Sequence, residues 1–290
     1  MKKLLFTGVC TALVTPFLDG RVNYPMMEQL LQRQMDAGIR AVVVCGTTGE
    51  ASTLTDDEKL EIFRRTKEFV GSDCMIIAGT GSNNTAHACK LSSEAENCGV
   101  DGLLLVSPYY NKSNSEGLVR HYTEIARSVS LPVIVYNVPS RTGLDIPVSV
   151  YEKLKKIHNI AGIKEASADI TKITKIRRAC GQDLSVWSGN DDQITPVISL
   201  GGAGVISVLS NVAPLETRLM TEAALDGDFD TAAALQAELQ PLVEALFSDV
   251  NPIPVKAAMK LIGYDCGYCR LPLGTLSSDK LQHLEKVLLP

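Results

Sequence analysis

A lysine stands inside an otherwise apolar run, "IAGIKEAS", Ile160 to Ser167. Burying an ammonium without a partner is costly, so its placement calls for a reason. Strand alternation puts Ile160, Gly162, Lys164 and Ala166 on one face, where glycine and alanine leave volume around the lysine. In a confined, partly dry space the neutral amine is favoured, and a neutral lysine is suited to attack a carbonyl and form a Schiff base. A lysine that lays its stem on apolar surface and keeps its head in water would leave the same pattern. Two hydroxyls bear on the choice. Tyr136 closes the run "PVIVY" one strand earlier, with Ile134 on its side, and Thr47 is expected to end the strand of "AVVVCG". Hydroxyls placed there could move protons onto and off the oxygen of a carbinolamine; each could equally be an aromatic plug or a turn residue. Thr48 and Gly49 offer backbone N–H groups to a carboxylate. Arg141, in the Pro/Gly-flanked stretch "YNVPSRTG", offers a fork for a second carboxylate, or is a solvated surface arginine.

The elements that would position these groups are legible as two alternating periodicities. Short β-branched runs begin near Val9, Ala41, Met75, Gly102, Pro132, Ile160, Leu184 and Gly204. Amphipathic stretches of helical period lie between them, as in "TDDEKLEIFRRTKEFVG", where Leu60, Phe63 and Phe69 mark the apolar face. Thr55 with Glu58 forms a capping box, and Gly71 ends that helix. Runs such as "GLLLVSP" and "PVIVYNV" are continuously apolar, the pattern of a parallel sheet covered by helices. Eight such units, spaced by roughly 20 to 35 residues, match a (β/α)8 TIM barrel of the α/β class. A doubly wound sheet would carry a Gly-rich dinucleotide turn after its first strand, and "VTPFLDGRVN" is not one. The expected division is a catalytic barrel over 1–225 and a small helical appendage over 226–290, with "DFDTAAALQAELQPLVEALFSD", "PVKAAMKLIG" and "SSDKLQHLEKVLL" as helices. In a TIM barrel the chemistry gathers at the C-terminal ends of the strands. The polar residues there are Gly46 to Glu50, Ser107 to Asn111, Tyr136 to Gly143, Lys164 with Glu165, Ser188 to Asp192, and Ser207. "GGAG", Gly201 to Gly204, reads as a helix end and tight turn.

Composition narrows the function classes. The 290 residues are 45% hydrophobic and 21% charged, with a formal net charge of −5 and no basic run, which argues against nucleic acid as a partner. No segment approaches the roughly 18 uninterrupted apolar residues of a membrane span. Two lysines ahead of an apolar run resemble the start of a secretory signal, but Thr7, Thr11 and Thr15 interrupt the run, and a first buried strand over Val9 to Thr15 is the better reading. The eight cysteines are expected to be reduced cytoplasmic thiols; Cys266 and Cys269 form a lone C-x-x-C. The four histidines share no ligand spacing, so no metal and no cofactor is expected.

"GTTGEASTL", "SPYYNK", "YNVPSRTG", "GIKEAS", "GVISV" and "NPIPVKAAM" occur in an order and at separations that resemble the 4-hydroxy-tetrahydrodipicolinate (dihydrodipicolinate) synthase family over the full chain. The resemblance implies a class I aldolase-type barrel of lysine and diaminopimelate biosynthesis. Pyruvate would form a Schiff base on Lys164 and, as an enamine, attack L-aspartate 4-semialdehyde. It implies a proton-relay triad of Tyr136, Thr47 and Tyr110, the last supplied by a neighbouring subunit. It further implies Thr48 as a pyruvate-carboxylate contact, Arg141 for the carboxylate of the semialdehyde, and Gly189 with the backbone of Ile206 lining the pyruvate site. A cytoplasmic homotetramer built from tight dimers is the usual family state. N-acetylneuraminate lyases and 2-keto-3-deoxy-sugar-acid aldolases share the lysine and tyrosine but lack the Pro-Ser-Arg of this chain, so Arg141 with Thr47 favours the synthase. A non-catalytic pyruvate-binding barrel is disfavoured because every expected catalytic position is filled.

Lysine-inhibited members of the family carry a histidine- and glutamate-bearing regulatory pocket. The matching positions here read Asp56, Lys59 and His87, with Asn83 and Tyr109 kept. A cation at Lys59 and no carboxylate at His87 make a poor pocket for the ammonium groups of free lysine. Titrating lysine into a steady-state assay is therefore expected to give weak or no inhibition; half-inhibition at sub-millimolar lysine would refute this.

Overall fold

The computed structural model describes residues 4–289; Met1 to Lys3, which include the two lysines of the signal-like start, and Pro290 lie outside the described residues. Eight parallel strands close into a barrel: β1 (Gly8–Ala12), β4 (Ala41–Val44), β5 (Met75–Gly79), β6 (Gly102–Val106), β7 (Val133–Asn137), β8 (Ile160–Glu165), β9 (Ser185–Ser188) and β10 (Gly204–Ser207). Each pairs with its sequence neighbour, and β1 joins β10 on one side and β4 on the other. The helices between them are α1 (Tyr24–Asp36), α2 (Asp56–Val70), α3 (Thr85–Asn97), α4 (Ser115–Arg127), α5 (Pro139–Thr142), α6 (Val148–Leu154), α7 (Ile170–Cys180), α8 (Ile194–Ser199) and α9 (Pro214–Leu225). Three more, α10 (Phe229–Leu246), α11 (Ile253–Leu261) and α12 (Ser278–Leu288), form the C-terminal appendage. Among the described residues no helix is long and apolar enough to cross a membrane.

The continuous apolarity of the strands follows from burial on both faces. Alternate residues fill the lumen, among them Cys10, Val43, Ile77, Leu104, Ile134 and Trp187. The intervening ones, such as Val42, Ile76, Leu103, Val135 and Val186, pack outward against the helices. At about 25 cal/mol per Å² of apolar surface removed from water, this double layer is the main favourable contribution to folding. Helix α2 begins at the reciprocal capping box of Thr55 and Glu58 and ends at Gly71. Its buried face differs from the expected one. Lys59, Ile62, Phe63, Thr66 and Val70 are buried, whereas Leu60 and Phe69 are only half-buried at the flanks.

The β8 strand also departs from simple alternation. Val133 pairs with Ile160 but Ile134 pairs with Gly162, a bulge that skips Ala161. Ile160 therefore joins the outer layer, while Lys164 and Ala166 keep the inner parity. Nor is the space at Gly162 free for the lysine. A Cβ there would lie 2.3 Å from the Ser185 carbonyl and 2.6 Å from the Trp187 ring, so glycine is required by the neighbouring strand's backbone and by the indole. That indole stacks on Phe6 at 4.7 Å and donates to the Phe6 carbonyl at 3.3 Å.

A two-stranded antiparallel ribbon, β2 (Phe17–Leu18) with β3 (Arg21–Val22), was not legible as a sheet. It meets the C-terminal segment, whose Cys266 carbonyl accepts from Phe17 N at 2.9 Å. The same segment holds the loop after β4. Lys256 donates to Glu50 Oε1 at 2.6 Å, and the Arg270 amide donates to Glu50 Oε2 at 2.8 Å. Arg270 also forks onto the Glu58 carboxylate at 2.6 and 2.8 Å. The Phe17 ring lies beneath both cations, at 4.3 Å from Lys256 and 4.4 Å from Arg270. Glu50 and Lys256 are both buried, so each depends on the other for its charge to be tolerated.

His121 on α4 is another buried polar group. Its Nδ1 faces Thr85 Oγ1 at 2.9 Å, and its Nε2 has no partner. Burial pushes its pKa down from 6.5 to about 4. Between those values the unfolded chain binds the proton more readily than the folded one, so this group withdraws stability as pH falls. The expected loss is about 3 kcal/mol across the window. Urea unfolding at about pH 7 and about pH 4.5 checks this, with His121→Gln expected to remove that part of the pH dependence.

Candidate active site

The last two residue pairs of β7 and β8 have different destinations. Tyr136 lies opposite Lys164, and Asn137 lies opposite Glu165. Alternation turns the first pair into the lumen and the second outward. Lys164 is 5% exposed, and its Nζ lies 4.4 Å from the centroid of the Tyr136 ring. The nitrogen thus stands over the electron-rich face of the ring. Below them Leu104, Ile134 and Trp187 fill the barrel, so the amine has an apolar floor. Ile206 of β10 belongs to the same lumen cluster and is fully buried.

Gly189 follows β9 and donates its N–H to the Glu165 carbonyl at 2.8 Å. A Cβ at this position would lie 2.7 Å from Ala166 Cβ and 3.1 Å from Lys164 Cε. A side chain at Gly189 would thus crowd Ala166 first and the lysine stem beside it. Thr47 is not at the end of its strand: β4 stops at Val44, Cys45 turns with φ +54°, and Thr47 lies half-buried in the turn, its carbonyl accepting from Glu50 N at 3.1 Å. Thr48 is buried, and the chain continues into a single 3-10 turn, Ala51–Thr53, before α2. Arg141 lies on α5, exposed at the rim. Tyr110, at φ +67° in the loop between β6 and α4, is 92% exposed and turned to solvent.

The structure thus gathers Lys164, Tyr136, Gly189 and Ile206 at one end of the lumen. A second group is joined by a residue to which no role had been given. Asn251 donates from Nδ2 to Thr48 Oγ1 at 3.0 Å, and its carbonyl accepts from Arg141 Nη2 at 3.3 Å. Its Oδ1 is buried without a partner. The motif "NPIPVKAAM" carried the only sequence signal for it. Asp191 was also missed, although it stood in the polar stretch after β9. Its Oδ2 accepts from the amides of Val208 and Leu209, both at 2.9 Å, which fixes the turn after β10. Burial pushes its carboxyl above the ordinary carboxylate range, while donors from Ser207, Leu209 and Val208 and the charge of Lys164 pull it back.

At the positions compared with a regulatory pocket, Asp56 is already engaged by His87 Nε2 at 2.8 Å and by Lys59 Nζ at 3.5 Å. Partial burial raises the Asp56 carboxyl, but the His87 and Lys59 contacts outweigh it and hold it below its ordinary value. All eight cysteines are free. Burial pushes Cys266 to about 12 and Cys269 to about 11, so both stay protonated near neutrality and neither is primed as a nucleophile. Among the described residues no three His, Cys, Asp or Glu side chains group as metal ligands.

A closed (β/α)8 barrel with a lumen lysine against a tyrosine defines a Schiff-base lyase of the class I aldolase type. The chain belongs to the dihydrodipicolinate synthetase family, whose model matches residues 5–289. A 4-hydroxy-tetrahydrodipicolinate synthase of Thermoanaerobacter sp. (strain X514) is 48% identical over 285 residues, which are 98% of this chain and 96% of that protein. One of Caldicellulosiruptor saccharolyticus is 48% identical over 286 residues, 98% and 97% of the two chains. The crystal structure of dihydrodipicolinate synthase from Aquifex aeolicus superposes with a TM-score of 0.96 at 40% identity, covering 98% of this chain and 97% of that one. A monomeric dihydrodipicolinate synthase variant superposes equally well, at 0.96 and 41% identity, covering 98% and 96%.

Filling the space at Gly189 gives a direct check on the site. Gly189→Ala is expected to displace Lys164 and cut pyruvate imine formation by about 10²-fold, read as the fraction of protein trapped with pyruvate and borohydride. An unchanged trapping rate in a folded Gly189→Ala protein would contradict the geometry.

Proposed function

We propose that this chain acts as a 4-hydroxy-tetrahydrodipicolinate synthase, condensing pyruvate with L-aspartate 4-semialdehyde through an enamine on Lys164. The observation that carries the reading is the Lys164 amine in a lumen lined by apolar side chains, 4.4 Å from the Tyr136 ring. The neutral amine adds to the keto carbon of pyruvate, and the carbinolamine oxygen takes up a proton and leaves as water. The resulting imine gives up a methyl proton to become an enamine, whose carbon attacks the aldehyde; the product then cyclises and leaves the lysine.

The hydroxyls of Tyr136 and Thr47 move the protons, together with Tyr110 of a neighbouring subunit. The exposure of Tyr110, 92%, is consistent with a side chain that works outside its own barrel. Thr48 receives the pyruvate carboxylate, with Gly189 and the Ile206 backbone lining that pocket. Arg141, at the rim, receives the carboxylate of the semialdehyde. The working unit is a homotetramer of tight dimers in the cytoplasm. Residues 1–225 form the catalytic barrel and 226–290 the helical region, which lends Asn251 to the site.

Borohydride reduction in the presence of pyruvate is expected to add one pyruvate-derived group at Lys164, located by peptide mass spectrometry. Lys164→Ala is expected to lose the adduct and to lower kcat by roughly 10³-fold or more in a coupled assay with aspartate semialdehyde. An adduct without turnover of the semialdehyde would instead indicate a lyase acting on another aldehyde.

A further inference from the structure

We infer that the cluster of buried Asn137, Glu165 and Lys172 with the exposed Asp145 is a positioning device that holds Arg141 at a fixed distance from Lys164, and so sets the affinity for the aldehyde substrate. The inference rests on the assignment of Arg141 proposed above. The cluster occupies the outward side of the strand ends, directly behind the Tyr136–Lys164 pair. Asn137, fully buried, is the last residue of β7, and Glu165, also buried, is the last of β8. Asn137 Nδ2 donates to Glu165 Oε1 and to Asp145 Oδ1, both at 2.8 Å. Its Oδ1 accepts from the amide of Ile146 at 3.0 Å. One side chain therefore fastens the far end of the loop that leaves β7, and Arg141 lies within that loop.

The other members complete the frame. Glu165 Oε1 also accepts from Ser167 N at 2.9 Å, which fixes the chain just after the lysine. Lys172 of α7, buried, bonds to Asp145 Oδ1, lies 3.7 Å from Glu165 Oε2, and stands 6.0 Å over the Tyr151 ring. Two carboxylates and one ammonium thus join α7, the β8 end and the Arg141 loop. The burial of Asn137, Glu165 and Lys172 makes their shared bonds costly to disturb when one partner is removed. Lys164 fixes the nucleophilic carbon and Arg141 fixes the carboxylate of the incoming aldehyde, so their separation decides whether the two carbons meet; a misplacement of about 1 Å costs up to about 10²-fold in such a geometry.

Asp145 is the member to change, because its side chain is 56% exposed and its removal opens no core cavity. Asp145→Ala takes away the oxygen shared by Asn137 and Lys172. The expected result is a rise of about tenfold in KM for aspartate semialdehyde, with kcat within about threefold. The KM for pyruvate and the borohydride-trapped imine should stay as in the unaltered protein. Asp145→Asn keeps the oxygen but loses the charge facing Lys172, and a rise of about threefold in the same KM is expected. An equal rise in both KM values, or no rise, overturns the inference; if circular dichroism shows Asp145→Ala unfolded, Asp145→Asn decides by the same two values. Arg141→Ala separates the two layers. If it leaves the aldehyde KM unchanged, the reading of Arg141 fails and this inference with it; if it raises that KM while the Asp145 variants do not, this inference alone fails.

Discussion

The rest of the structure depends on the burial of one amine. Lys164 is 5% exposed among the apolar side chains of the lumen, with its Nζ over the face of Tyr136. Burying an amine there is tolerated only where its surroundings are held in place. The enclosure is built from layers. Leu104, Ile134 and Trp187 close the lumen beneath, Gly189 withholds a side chain beside the stem, and Ile206 closes the wall. A TIM barrel suits this because its interior is a packed core and its strand ends are the only place where polar groups meet that core.

Alternation along β7 and β8 explains how so much polarity fits at one end of the barrel. Tyr136 and Lys164 face in, and their successors Asn137 and Glu165 face out. The inward pair faces the lumen, whereas the outward pair is tied to the loop and to the chain after β8, with Lys172 of α7 at 3.7 Å from Glu165 Oε2. Reactivity and rigidity are thereby separated by a single residue step. The C-terminal appendage acts similarly on the opposite wall, where Lys256 and Arg270 hold Glu50 and Asn251 reaches Thr48.

Much of this was legible in the residues alone, for a physical reason. Strands buried on both faces must be continuously apolar, so the eight runs stood out, and a lysine within one of them was conspicuous. The Thr55–Glu58 capping box is a local bond and was equally plain. What escaped depends on partners remote in the chain. Asn251 meets Thr48 across 203 positions, and Lys172 meets Asp145 across 27. The ribbon of β2 and β3 is too short to show a period. The bulge between β7 and β8 reverses Ile160 but leaves Lys164 where alternation placed it, so the reading of the lysine survived a local error.

The pairing of Glu50 with Lys256 has a consequence for the order in which the molecule can mature. The two are separated by 206 positions, and β1 must also wait for β10. A nascent polypeptide that has delivered every strand still carries an uncompensated carboxylate in the wall of the site until α11 leaves the ribosome. A chain cut short before α11 would therefore keep its full complement of strands yet leave the wall around Thr47 and Thr48 unbraced.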